Sequence, residues 1–76
     1  MMSLEVIDLS IKYKIDVLWE LKQKGYNTSV LRNEHILGER TIQHLREGKT
    51  VSVDTIGVIC RLLDLQPGDI IEYIDD

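Results

Sequence analysis

The sequence predicts an all-α domain of five short helices, and three observations carry that reading. Apolar residues recur three and four positions apart in successive stretches. Capping residue types precede these stretches, and glycines follow two of them. The connections between them are only a few residues long, as in a small helical bundle. A chain of 76 residues makes a single domain, residues 1–76, whose core is modest unless a partner subunit extends it.

The N-terminal stretch Leu4–Leu9, LEVIDL, is apolar and short, so an extended segment and a helical lead-in both fit. Ser10 is a candidate cap. Ile11, Ile15, Leu18 and Leu21 then share helical spacing. Lys22, Lys24 and Gly25 form a stop signal, which predicts a first helix from Ile11 or Tyr13 to Lys24. Asn27, Thr28 and Ser29 are all capping types, with Ser29 best placed for a second helix running to His35. Gly38 precedes a third helix that ends near Glu47, before Gly48. Ser52 caps a fourth, whose apolar positions are Val53, Ile56, Ile59, Cys60 and Leu63. Gly57 within it suggests a close helix contact. Pro67 suits the first turn of a fifth helix, with Ile70, Ile71 and Ile74 as its apolar side. Ile42, Leu45, Leu31, Ile56, Ile59 and Leu63 are expected to share one core.

Composition narrows the function classes. No apolar run approaches the roughly 20 residues of a membrane span, and the N-terminus lacks a signal-peptide pattern, so a cytoplasmic protein is expected. Cys60 stands alone and reads as a small core residue on the fourth helix. Trp19 reads as a core residue or a subunit contact, and His35 as a partly buried helix-end residue. There is no metal-binding spacing, no nucleophile–base pair and no phosphate loop, so neither a metal, a cofactor nor an enzyme is expected. The net charge of -4 is unevenly spread. Residues 12–49 hold eight cationic side chains against five acidic ones, whereas residues 50–76 hold Arg61 against six acids. The local balance of +3 in the first of these is what a polyanion would meet.

On a helical wheel of the third helix, Ile42 and Leu45 point one way. Arg40, Gln43, His44 and Glu47 point the other, with Glu39 and Arg46 on a flank. That outer side carries the groups that match base edges: Arg for guanine, Gln for adenine, and Glu as an acceptor for cytosine.

The order of elements resembles the phage-repressor, Cro-type helix-turn-helix family over about Tyr13 to Ile74. Three stretches carry the resemblance: "TSVLR" opening the second helix, "TIQHL" in the third, and "VSVDTIGVICRLLDLQPGDIIEYI" closing the domain. The resemblance implies a lambda-repressor-like fold in which Leu31 packs under the third helix. It puts Glu39, Arg40, Gln43 and His44 at positions that face bases, and Thr28, Arg46, Lys49 and Thr50 near positions that touch phosphate. The chain departs from the pattern at three places. Arg32 stands where a small residue is usual, although the small stand-alone subgroup that the chain most resembles often has Arg there; Ile36 stands where the turn usually has Gly, and Gly38 where Ser or Thr usually precedes the third helix. A positive φ is costly for a β-branched side chain, so the inter-helix turn is expected to differ in shape or to carry strain at Ile36.

These readings together predict a sequence-specific transcriptional regulator that binds double-stranded DNA as a homodimer, with no small-molecule ligand. The apolar residues Leu4, Val6, Ile7, Ile71, Tyr73 and Ile74 would supply the dimer surface, as edge strands or as terminal helices. The rival is an antitoxin-like or regulator-binding interaction module that uses the same fold without strong DNA binding. The charge on the face formed by the second and third helices separates the two: a positive ridge fits DNA, a neutral or negative one a protein.

Overall fold

The computed structural model describes residues 11–74. The readings of Leu4–Leu9, the cap at Ser10 and the apolar N-terminal residues lie outside the described residues. In chain order the elements are β1 (Ile11–Tyr13), α1 (Val17–Gln23), α2 (Thr28–Asn33), α3 (Glu39–Glu47), α4 (Val53–Leu63), α5 (Pro67–Ile70) and β2 (Ile71–Tyr73). The expected five helices are present. The domain is not strictly all-α, because β1 and β2 pair antiparallel, with Ile11 opposite Tyr73, Lys12 opposite Glu72 and Tyr13 opposite Ile71.

The ribbon corrects both ends of the sequence reading. The first helix begins at Val17 rather than at Ile11 or Tyr13, because the Asp16 side chain accepts from the Trp19 backbone N–H and caps it there. The fifth helix stops at Ile70, so Ile71 belongs to a strand and Ile74 follows it. Asp69 accepts from the Gln66 N–H at 3.0 Å, and Pro67 holds the first position of this single turn. The Lys14 N–H donates to the Ile70 carbonyl at 2.8 Å, joining the end of α5 to the residue after β1.

The second helix is capped by Asn27, not Ser29: the Asn27 side chain accepts from the Val30 N–H at 2.9 Å. It ends at Asn33, two residues short of His35. The caps at Gly38 and Ser52 and the stop at Gly48 fall where the sequence places them, and the fourth helix runs to Leu63.

One core joins the helices. Val17 and Leu21 of α1, Leu31 of α2, Leu37 of the turn, Ile42 of α3, Ile59 and Leu63 of α4 and Ile70 of α5 form a single cluster. Leu45, Cys60 and Leu18 pack against it, half-buried. Of the six residues expected to share the core, Leu31, Ile42, Ile59 and Leu63 lie in this cluster and Leu45 borders it. Ile56 is buried beside a separate apolar groove. Deleting a side chain such as Ile59 from so small a core would cost about 2–5 kcal/mol, a large share of its stability. Trp19 is 55% exposed, which excludes its core reading and leaves the subunit contact. A Cβ at Gly57 would meet nothing within 4 Å, so the close helix contact expected there is absent among the described residues. No helix among the described residues is long and apolar enough to cross a membrane.

Candidate functional site

The α2–α3 segment is fixed at three points. Leu31 is wholly buried, Leu37 anchors the turn and Ile42 anchors α3. Between them the chain turns through His35, which takes the left-handed conformation at φ 57. The His35 N–H donates to the Arg32 carbonyl and the Ile36 N–H to the Leu31 carbonyl, a six-to-one bond that satisfies the end of α2. The turn therefore takes the first of the two expected forms, a different shape with no strain at Ile36: His35 carries the positive φ. A non-branched His accepts that conformation far better than Ile would. The exposed His35 side chain is not the partly buried helix-end group expected of it.

Along α3, Ile42 is buried and Thr41, His44 and Leu45 are half-buried, while Glu39, Arg40, Gln43, Arg46 and Glu47 are exposed. Gln43 sits at the middle of that exposed arc. Glu39 and Arg46 belong to the arc itself, and His44 is turned to its edge. Side-chain bonds run across it. Arg46 donates to the Gln43 carbonyl oxygen at 3.0 Å, the Gln43 amide donates to Glu47 at 2.7 Å, and Lys49 pairs with Glu47 at 3.2 Å. Arg32 forms an ion pair with Glu39 across the turn, which gives this departure from the family pattern a contact. Arg40 makes no ion pair among the described residues. Arg32, Arg40, Arg46 and Lys49 thus stand against Glu34, Glu39 and Glu47 on and beside these helices, an excess of one positive charge. The Gln43 amide first, and then Lys49, hold the Glu47 carboxyl below its ordinary pKa, so it is ionised throughout the neutral range.

The loop after α3 is equally fixed. Gly48 takes φ 76, and the Lys49 N–H donates to the His44 carbonyl at 2.8 Å. The Tyr13 hydroxyl donates to the Lys49 carbonyl at 2.7 Å, tying this loop to β1. Lys49 and Thr50 project from it, both exposed.

An open cleft of about 600 Å³ lies beside α3. Thr28 and Arg46, two of the residues expected near phosphate, line it together with Trp19, Lys22, Asn27 and Gly48. Trp19 and Lys22 escaped the sequence reading as site residues. They lie on α1, and only the packing of α1 against α3 brings them to this edge. Thr50 lines a different groove, of about 230 Å³, with Ile11, Tyr13, Val51, Val53 and Ile71. Among the described residues no group of three His, Cys, Asp or Glu side chains is arranged to hold a metal ion.

The family model of the Cro/C1-type HTH DNA-binding domain matches residues 14–76. No curated protein and no solved structure matches the chain.

Proposed function

The chain belongs to the Cro/C1-type HTH DNA-binding domain family, and from that premise we propose that it is a sequence-specific transcriptional regulator that sets α3 in the major groove of double-stranded DNA as a homodimer. The observation that carries this reading is the exposed arc of α3. Its guanidinium, amide and carboxylate groups are free of core duties, while Ile42 and the two ends of the helix hold it rigidly. The excess of cations on the α2–α3 face favours a polyanion over an acidic or neutral protein surface.

Glu39, Arg40, Gln43 and His44 are the base-reading residues in this proposal. Thr28, Arg46, Lys49 and Thr50 meet phosphates. Arg40 stands near the start of α3 with no acidic partner among the described residues, which suits a bidentate contact to guanine. Lys49 lies beyond Gly48, where the chain leaves the groove. The homodimer is supported by the apolar side chains left exposed at Ile11, Val53, Tyr73 and Ile74. A two-fold axis through that surface would set two α3 helices about 34–36 Å apart, one turn of DNA, and would require a near-palindromic site.

Selection of bound duplexes from a random pool, followed by salt titration of the winner, tests the proposal. Arg40→Ala is expected to lose roughly 1–3 kcal/mol on the selected site and to relax the preference at one base position. Lys49→Ala is expected to weaken all sequences alike and to reduce the salt slope by about one phosphate. Unchanged affinity and preference in Arg40→Ala would remove α3 as the reading element and favour the protein-interaction module instead.

A further inference from the structure

We propose that Glu47 is a specificity-determining residue that acts against non-specific DNA, an inference that rests on the DNA reading above. In the free protein this one carboxylate holds two groups needed for binding. Its Oε2 accepts from the Gln43 amide at 2.7 Å, and its Oε1 pairs with the Lys49 ammonium at 3.2 Å. Arg46 holds the other end of the Gln43 amide at 3.0 Å. Both ends of Gln43 are thereby occupied. A bidentate contact to adenine needs both, so Gln43 reads a base only after it leaves Glu47 and Arg46.

The consequence differs between wrong and right sequences. On any duplex, phosphates draw Arg46 and Lys49 away, and Glu47 is left as an uncompensated negative charge facing a polyanion. A non-specific sequence offers it nothing in return. A site that presents a cytosine amino group beneath α3 gives the carboxylate a donor, while the released Gln43 takes its own base. The carboxylate therefore penalises every sequence except one that compensates it, which is how a repulsive group creates discrimination. The Arg32–Glu39 pair places a second carboxylate on the same face, but among the described residues Glu39 holds Arg32 and no base-reading amide.

The test measures binding of the full chain to its selected duplex and to a scrambled duplex at several salt concentrations. Glu47→Gln removes the charge and is expected to tighten scrambled-duplex binding roughly three- to tenfold, as one unit charge near a phosphate gives at surface dielectric. Affinity for the selected duplex should rise less or fall, so that the ratio between the two shrinks. The salt slope on scrambled DNA should stay as in wild type, because Lys49 already engages its phosphate there and only the repelled carboxylate is removed. In a Lys49→Met background the same change should tighten scrambled-duplex binding by a similar factor, and loss of the tightening there would overturn the repulsion argued here. Glu47→Ala is expected to reproduce the tightening; a rise with Gln but not Ala would assign the effect to the new amide and overturn the proposal. Unchanged scrambled-duplex affinity in both variants, with wild type binding its selected site, overturns this inference alone. A wild-type chain that binds no duplex at low salt overturns the DNA reading and this inference with it.

Discussion

Tyr13 links the ribbon to the loop after α3 through a single hydroxyl. That hydroxyl is half-buried, and burial raises its pKa above the ordinary value of 10.0. The bond to the Lys49 carbonyl needs the protonated phenol, since only that form donates. The sign follows: the contribution is fully present below the unfolded pKa and is lost as pH rises through the higher folded one. Tyr13→Phe should therefore lower stability at neutral pH by about 0.5–1.5 kcal/mol, toward the lower figure because the ring is partly wet. It should also flatten the decline above about pH 10. Denaturation midpoints of both proteins across that range check this; equal midpoints at neutral pH would mean that water replaces the bond without loss. Neither the bond nor its partner was legible in the sequence, because Tyr13 and Lys49 are distant in the chain and nothing in either residue type announces the other.

Four helices end in the same way. After α1, α2, α3 and α4 the chain turns through a left-handed residue: Gly25, His35, Gly48 and Asp64 in turn. The next N–H then bonds back to the carbonyl of Leu21, Leu31, His44 or Cys60. Two of the four are glycines, and those two stops were the ones legible in the sequence. His35 and Asp64 occupy the same conformation with side chains that merely tolerate it, so composition hid them. The strands were hidden for a different reason. Three residues are too few to show a period of two, and Ile11 and Ile15 happen to continue the four-residue spacing of α1. In the run of capping types before α2 the earliest, Asn27, takes the role. The same substitution at two glycines then has opposite signs. Gly48→Ala, at φ 76, should destabilise by roughly 1–2 kcal/mol. Gly57→Ala, in the middle of α4 with open space around its Cβ, should stabilise by about 0.5–1 kcal/mol. Chemical denaturation of the two variants beside wild type decides it, and a loss of stability at Gly57 would mean that its backbone meets something when the protein assembles.

For the whole molecule, what the sequence shows of the candidate site is the exposed side of α3 and not its margins. Helical periodicity exposes Arg40, Gln43 and Glu47 because Ile42 must face inward, whatever the rest of the chain does. The cleft holding Trp19 and Lys22 beside Thr28 and Arg46 exists only once α1 has packed against α3, so no local pattern could reveal it. Assembly belongs to this scale as well. The apolar surface around Ile11, Val53, Tyr73 and Ile74 is expected to close between two copies. Sedimentation at micromolar concentration should show a dimer, and replacing exposed Val53 with Asp should return monomers with an intact fold. Monomer alone in the wild type, with and without DNA, would remove the dimer and the palindromic site together.

The β1–β2 ribbon also sets an order of events in folding. Pairing Ile11 with Tyr73 closes a loop through nearly all of the described chain, whereas each helix forms from neighbours. Loop closure on that scale costs entropy that local contacts do not. The helices and their shared core are therefore expected to form before the ribbon zips, and the ribbon to open first when the native state fluctuates, so the β1 and β2 amides should exchange hydrogen faster than those of α4. Since Tyr13 lies on β1 and grips the Lys49 carbonyl, an unzipped ribbon also frees the loop that follows α3. The phosphate contact proposed for that loop would then be acquired last in folding and surrendered first in partial opening, while the core beneath it stays intact.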